Sequence, residues 1–141
     1  MKPLDGVRVV DLSRVLAGPY CSMLLADLGA EVIKVEEPPE GDEARRVGPF
    51  VNGVSAYFMS LNRGKKSVTL NLKDPRGRAV LIELVRRSDV LLENFRPGTM
   101  RKLGLDYEAL KAVNPRLVYA SLSGFGQTGP YASRGAYDII I

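Results

Sequence analysis

The order of a strand, a helix and a second strand within the first 35 residues constrains the fold more than any other sequence feature. Two short β-branched runs, at residues 7–11 and 31–35, predict the strands. Residues 20–28 carry apolar side chains at helical spacing, and Gly29 is placed to end that helix. Strands joined by a helix in this way lie parallel in one sheet. We therefore expect an α/β fold with a mostly parallel sheet.

The rest of the chain continues this alternation of strands and helices. Strands are predicted at 67–71, 90–94 and 117–122, and helices at 75–87, 99–103 and 107–113. The helix at 75–87 begins with an Asp-Pro pair typical of a helix start, and its apolar face is formed by Val80, Leu81, Leu84 and Val85. Residues 38–53 mix Pro, Gly and charges, which predicts a long surface loop. Without an internal repeat or a linker, residues 1–141 read as a single domain.

The composition excludes several kinds of chemistry and of partner. The sequence has no histidine, which excludes serine–histidine and cysteine–histidine catalysis and leaves no typical zinc site, so no metal is expected. A single cysteine, Cys21, cannot form an internal disulfide, and we expect it to be an inert thiol in the core of a cytoplasmic protein. No apolar run approaches membrane-spanning length. A net charge of +4 suits an anionic ligand, and without a basic helix no nucleic-acid partner is expected.

Several candidate ligand-binding segments follow the predicted strands, where α/β folds bind their ligands. The turn at 13–19 precedes the first helix, and Glu36-Glu37 closes the second strand about where dinucleotide folds place a ribose-binding acid. That turn has one glycine where the dinucleotide motif needs three, so a nicotinamide or flavin site is not favoured. The segment 93–98 combines Asn, Phe and Arg, which could bind an amide, a ring and a phosphate, or simply form a turn at Pro-Gly.

Two further segments have both a functional and a plain interpretation. Residues 63–66 hold three cations, which could bind phosphates or form a solvated basic turn. Residues 121–130 hold three glycines that could present amides to an oxyanion or a thioester carbonyl, or form a flexible connection.

Taken together, these segments resemble the family III CoA-transferases, the group of the formyl-CoA, carnitine-CoA and bile-acid CoA-transferases. The α-methylacyl-CoA racemases share the fold. The stretches that carry the resemblance run in family order along the chain, at residues 4–11, 17–19, 27–36, 62–67, 89–98, 114–119 and 123–130. The resemblance implies a Rossmann-like sheet and, as substrate, coenzyme A carried as its thioester.

The resemblance also implies which residues contact CoA. By position these are Val15, Leu16, Ala17, Glu37, Leu70, Asn71, Leu72, Lys73, Asn94, Phe95, Arg96, Lys102, Gly135, Ala136, Tyr137 and Asp138. Members of the family often carry arginine where this chain has Glu37, so a phosphate contact is not expected from that side chain. Residues 63–66 remain only a possible neighbour of a phosphate.

The chemistry implied by the resemblance moves CoA from an acyl-CoA to a free carboxylic acid. In the family an aspartate attacks the thioester to give a mixed anhydride and then an aspartyl-CoA thioester. That aspartate lies in a Gly-Asp motif beyond the position of Ile141, so no catalytic residue is expected in this chain. Racemases of the family use a histidine at the position of Tyr137, and a tyrosine there favours acyl transfer over racemisation.

The chain is also expected to be a part of a longer fold. It ends on the apolar run 139–141, whereas natural ends are usually polar and exposed. We expect an N-terminal CoA-binding portion, whose full-length relatives form interlocked homodimers. The alternatives are a racemase homologue and a CoA-binding fragment without catalysis.

Overall fold

Five parallel strands form the central sheet of the computed structural model, which describes residues 1–137 and 140. In spatial order they are β5 (Lys66–Thr69), β2 (Glu31–Glu36), β1 (Arg8–Asp11), β6 (Val90–Glu93) and β7 (Val118–Ser121). All neighbouring pairs are parallel, with Val9 of β1 opposite Val32 of β2 on one side and Val90 of β6 on the other. A two-stranded antiparallel hairpin, β3 (Phe50–Val51) and β4 (Val54–Ser55), lies apart from this sheet. The expected α/β class is confirmed.

The connections between the strands are mainly helical. Their bounds are α1 (Ala17–Asp27), α2 (Ala56–Asn62), α3 (Pro75–Arg86), α4 (Thr99–Lys102) and α5 (Tyr107–Val113). A 3₁₀ helix covers Glu43–Arg46. None of the helices in the described part of the chain is long and apolar enough to cross a membrane.

The two faces of the sheet have separate apolar cores. On one face, Val10 and Leu91 pack with Leu81 and Val85 of α3 and Leu110 of α5. On the other face, Val9 and Val32 pack with Leu25 and Ala26 of α1. Because strands covered on both faces need apolar residues on both, successive residues are apolar and buried in β1 (Val9 and Val10) and in β6 (Leu91 and Leu92).

The order of the strands places a switch point between β1 and β6. Counted among themselves along the chain, the five strands take the spatial order 3-2-1-4-5, which is five strands of the doubly wound arrangement. The connection after β1 leads to one side of the sheet and the connection after β6 to the other. The turns after these two strands therefore diverge and leave a crevice, which is where such folds bind ligands.

The structure corrects several details of the sequence-based expectations. Helix α1 begins three residues earlier than the predicted 20–28, and Leu24 and Leu28 of its predicted apolar face are exposed, as is Val80 of α3. The predicted loop at 38–53 contains the 3₁₀ helix and strand β3, and α2 was not predicted. Cys21, expected in the core, is only half-buried.

Candidate functional site

The first turn, residues 13–16, lies between the end of β1 and the start of α1 at the switch point. Its backbone groups are bound by the side chains of Asp11, Lys34 and Asp42 and, at its centre, by that of Asn94. The Ser13 N–H donates to Asp11 Oδ1 at 2.9 Å, and the Ser13 carbonyl accepts from Lys34 Nζ at 2.8 Å. The Val15 N–H donates to Asp42 Oδ1 at 3.0 Å. These bonds fix the path of the turn from both sides.

Arg14, the central residue of the first turn, is held by Asn94. The Arg14 N–H donates to Asn94 Oδ1 at 2.8 Å, and Asn94 Nδ2 donates to the Arg14 carbonyl at 2.8 Å. Since Asn94 immediately follows β6, this pair of bonds joins the two turns that border the crevice. The Arg14 guanidinium also lies over the Phe95 ring, 4.9 Å from its centroid. Arg14 lies in the candidate turn at 13–19 but was not among the residues that the family resemblance implies as CoA contacts.

Val15 adopts a left-handed backbone conformation, with φ +67°. For a β-branched residue this conformation costs about 1–3 kcal/mol, so the surrounding bonds must stabilise it. Val15, Leu16 and Ala17 are exposed, and the N-cap position of α1, Leu16, supplies no capping side chain. Of the first three residues of α1, Ala17 and Gly18 have an N–H and Pro19 has none, and no side chain caps this end, which suits an anion.

Gly18 allows α1 to start this close to the sheet. A methyl group at Gly18 would overlap the buried Ser13 side chain. The absence of a side chain at Gly18 therefore determines how near the α1 N-terminus lies to the end of β1.

Two buried ion pairs lie beneath the first turn. Lys34 Nζ is 2.8 Å from Asp42 Oδ2, and Lys65 Nζ is 3.1 Å from Asp11 Oδ2. All four side chains are nearly inaccessible to solvent. Burial of the Lys65 ammonium lowers its pKa, and the neighbouring Asp11 carboxylate partly offsets this. The two pairs balance their charges, so the turn is supported by a buried polar layer without net charge.

The three central strands each end in a buried carboxylate that binds the backbone of the following connection. Asp11 accepts from Ser13 N–H, Glu36 from Asp42 N–H at 2.9 Å, and Glu93 from Phe95 N–H at 2.8 Å. A sequence pattern indicates these three carboxylates, because each acid directly follows an apolar strand residue and precedes a turn. The sequence suggests Glu36 as a possible ribose-binding acid, but its carboxylate is occupied by protein donors.

Glu36 is bound by the positively charged Arg45, whereas the groups that bind Glu93 are an uncharged hydroxyl and an amide. Burial alone would raise the pKa of Glu36, but Arg45, Ser67 and the Asp42 amide together lower it to about 2. Burial raises the pKa of Glu93, which the Ser121 hydroxyl and the Phe95 amide offset only in part.

The predicted residues after β2 and β5 also lie along the carboxyl edge of the sheet. Lys73 Nζ is 2.7 Å from Glu37 Oε1, and this bond lowers the pKa of the Glu37 carboxyl. Leu70 and Leu72 pack against the core, whereas Asn71 is exposed and its side chain accepts from the Lys73 N–H at 3.0 Å. The structure thus brings together Glu37, which follows β2, and Lys73, which follows β5.

The segment after β6 and the C-terminal candidates meet at Arg96. Gly135 lies so close to the exposed Arg96 guanidinium that a Cβ on it would be 3.6 Å from Nη2. Arg96 also lines a cavity of about 760 Å³, together with Gln127 and Thr128 of the glycine-rich segment. Two segments singled out in the sequence therefore share one cavity.

The remaining candidates are less closely tied to the crevice. Lys102 is exposed at the end of α4 and forms no ion pair within the described residues. Ala136 is half-buried, Tyr137 is exposed, and Asp138 lies outside the described residues.

Each cation of the basic segment 63–66 is paired with a carboxylate in the structure. Arg63 pairs with Asp27, Lys66 pairs with Glu31, and the buried Lys65 pairs with Asp11. The alternative of a solvated basic turn is also wrong for Lys65, whose side chain is 2% exposed. Of the three cations, Lys65 lies beneath the first turn, whereas Arg63 and Lys66 bind acids at the end of α1 and at the start of β2.

Comparison with known proteins shows similarity over nearly the whole chain. The model of CoA-transferase family III matches residues 4–141. An acetyl-CoA:oxalate CoA-transferase of Acetobacter aceti is 56% identical over 139 residues, covering 99% of this chain and 36% of that protein. A succinyl-CoA:glutarate CoA-transferase of Mus musculus is 54% identical over 141 residues, covering 99% and 32%.

A solved structure has the same fold. The crystal structure of a CAIB/BAIF family protein from Brucella suis superimposes with a TM-score of 0.93 at 52% identity, covering 99% of this chain and 38% of that one. The chain spans about a third of the length of these relatives. The match to the family model and the identity to its relatives agree with the architecture described above, and the chain belongs to CoA-transferase family III.

Proposed function

We propose that this chain forms the CoA-binding part of an enzyme that moves CoA from an acyl-CoA to a free carboxylic acid. Relatives about half identical to it over its whole length are named for reactions of this kind, with oxalate and glutarate among the acids in their names. The observation in the structure that carries the proposal is the first turn. It is fixed by four side chains at the switch point and presents uncapped helix amides next to exposed residues 15–17.

The charges around the crevice suit a polyanionic ligand such as CoA. The exposed cation Arg96 lies after β6, and Lys102 lies one short helix further on. Lys73, whose side chain is largely exposed, offers a third cation, although it shares its charge with Glu37. Phosphates bind both helix amides and such side chains, while the apolar Val15 and Leu16 offer contacts for the uncharged parts of CoA.

The function is tested by isothermal titration calorimetry of the complete protein with CoA. We expect binding that Arg96→Ala weakens at least about tenfold, since a charge-assisted bond to phosphate contributes about 1.5–3 kcal/mol. Arg116→Ala is the matched control, because Arg116 is also exposed but precedes β7 at the opposite edge of the sheet. Absence of CoA binding by the wild-type protein would refute the proposal.

Acyl transfer is proposed over racemisation. Support comes from Tyr137, which is exposed and stands at the position where the resemblance places the histidine that moves the α-proton in racemases. Incubating the complete protein with acyl-CoA and a dicarboxylate should yield the new acyl-CoA. Exchange of the α-proton with deuterated water, without acyl transfer, would instead support a racemase, and binding without either reaction would support a non-catalytic CoA-binding protein.

We further propose a cytoplasmic homodimer that acts without a metal and binds neither nucleic acid nor membranes. Support comes from the single half-buried cysteine and from the family resemblance. Light scattering coupled to size-exclusion chromatography measures the assembly, and activity after treatment with a chelator tests the independence from metal.

A further inference from the structure

We propose that Asp42 is a positioning residue that holds Val15 in its left-handed conformation, so that the first turn has its binding geometry before CoA arrives. This inference rests on the proposed function, because it assigns a role in binding at the same turn. Asp42 lies 27 residues further along the chain than Val15, at the start of the 3₁₀ helix.

The contacts of Asp42 connect three parts of the structure. Its Oδ1 accepts from Val15 N–H at 3.0 Å and from Ala44 N–H at 2.9 Å, which caps the 3₁₀ helix. Its Oδ2 lies 2.8 Å from Lys34 Nζ, and the same ammonium donates to the Ser13 carbonyl at 2.8 Å. The Asp42 carboxylate and the Lys34 ammonium therefore bind the first turn at two points, one on each side of Arg14.

Val15 needs such a contact because nothing else in its own chemistry favours its conformation. A β-branched residue prefers extended backbone angles, and the left-handed region suits glycine. The Val15 side chain is 42% exposed, so packing contributes little to its placement. Without the bond to Asp42, Val15 would relax toward extended angles and carry its amide and side chain out of place.

Stability of the fold alone does not explain why two charged side chains are buried here, because removing charges from water costs free energy. Buried ion pairs are often no more stabilising than apolar residues of similar volume. Besides pairing with each other, Asp42 accepts from the Val15 N–H and Lys34 donates to the Ser13 carbonyl. Both bonds hold the backbone of a turn whose residues 15–17 are exposed at the crevice. Holding a binding turn in place in advance improves affinity by reducing what must be ordered on binding.

The first measurement is CoA affinity of the complete protein, taken well below the melting temperature of each variant. Asp42→Ala should raise the Kd for CoA about tenfold, since the strain at Val15 is then relieved by movement of the turn. The two-residue test is a double-mutant cycle with Val15→Gly. Because glycine adopts the left-handed conformation without strain, Asp42→Ala should cost less than threefold in the Val15→Gly protein.

Asn114→Ala is the control for loss of stability alone. The Asn114 side chain donates to the carbonyls of Val85 and Ser88, close to the opposite edge of the sheet, so this variant should melt earlier and bind CoA normally. If Asp42→Ala weakens CoA binding no more than Asn114→Ala does, the proposal is wrong. The same holds if the effect of Asp42→Ala is equal with Val15 and with Gly at that position.

Amide hydrogen exchange gives a measurement that does not depend on CoA. Exchange of the Val15 amide should be protected in the wild type and in Asn114→Ala, and at least tenfold faster in Asp42→Ala. If Asp42→Ala does not fold, Asp42→Ala combined with Lys34→Met replaces it, because this protein has no unpaired charge under the turn and still offers the Val15 amide no carboxylate oxygen. Unchanged exchange at Val15 in a folded variant overturns the inference even where CoA binds, whereas a wild type that does not bind CoA refutes the proposed function.

Discussion

Asn94 binds both backbone polar groups of Arg14, accepting from its N–H and donating to its carbonyl, each at 2.8 Å. A carboxamide plays both parts with one planar group, whereas an ionised carboxylate can only accept. The bonds cross the switch point, so the position of the β1 turn and that of the β6 turn depend on each other. This connection explains why an asparagine stands at the end of β6.

Asn94→Asp should destabilise the protein by about 1–3 kcal/mol, because the Arg14 carbonyl loses its donor and faces a carboxylate oxygen. The Arg14 N–H keeps an acceptor. Urea unfolding at neutral pH measures the change, and CoA affinity should fall as well. Asn71→Asp is the matched control, because the Asn71 side chain only accepts, from Lys73 N–H, and an aspartate does this equally well. Equal stability of the two variants would contradict the proposed role of Asn94.

Gly77 in the first turn of α3 allows the loop at 70–73 to approach closely. A methyl group at Gly77 would overlap the Asn71 carbonyl oxygen. Gly77→Ala should therefore displace the loop and cost about 1–3 kcal/mol in stability, as overpacking does, despite the better helix propensity of alanine. Thermal unfolding measures this. Ala79→Gly, at an exposed site in the same helix, measures how much stability the difference in helix propensity between alanine and glycine contributes by itself. A Gly77→Ala protein as stable as the wild type would show that the loop moves freely.

The alternation of strands and helices was predictable from the sequence because each element has its own periodic pattern. The helix bounds of α5, at Tyr107–Val113, were predicted to the residue, since Asp106 caps its start and Asn114-Pro115 ends it. Helix α2 was missed because it is short and its apolar residues Met59 and Phe58 do not all face a core.

The candidate site was predictable only in its general position. Polar residues after parallel strands are expected at one edge of the sheet, and residues such as Asn94 and Lys73 are found there. The buried support was not predictable: no local pattern indicates that Asp42, in an apparent loop, binds Val15. Such pairings join residues far apart in sequence, and they depend on how the loop folds back over the sheet.

Lys65 and Lys66 are sequence neighbours with opposite environments, which allows a direct comparison. Lys65 Nζ donates to Asp11, to the Pro19 carbonyl and to Asn62 Oδ1, and its side chain is 2% exposed. Lys65→Met should cost about 3–5 kcal/mol because it leaves the Asp11 carboxylate buried without a counterion. Lys66, with a side chain 72% exposed, pairs with Glu31 at the surface, and Lys66→Met should cost at most about 1 kcal/mol.

Chemical denaturation of the two methionine variants measures this difference. It should exceed about 2 kcal/mol, which follows from the separate values for buried and exposed ion pairs. Similar losses in both variants would contradict the burial of Lys65. A protein with both Lys65→Met and Asp11→Asn should recover part of the loss, since the unpaired charge is then gone.

Glu36 should make stability depend on pH in the acid range. Its carboxylate is bound by Arg45, Ser67 Oγ and the Asp42 amide, and its pKa in the folded protein is lowered from 4.5 to about 2. A depressed pKa means that the folded state binds the proton less readily than the unfolded state. The stabilisation is therefore fully present above pH 4.5 and is lost as the pH falls toward 2.

Glu36→Gln should accordingly lower stability by about 2 kcal/mol at pH 7, a value reduced from the full shift because Arg45 is partly exposed. The deficit should shrink as the pH falls below 4.5, where the wild-type carboxyl begins to lose its advantage. Thermal unfolding of both proteins from pH 7 to pH 3 measures the convergence. Glu83→Gln serves as the control, since the exposed Glu83–Arg86 pair on α3 should give no such trend. A constant difference between Glu36→Gln and wild type at every pH would mean that Glu36 acts through shape and not through its charge.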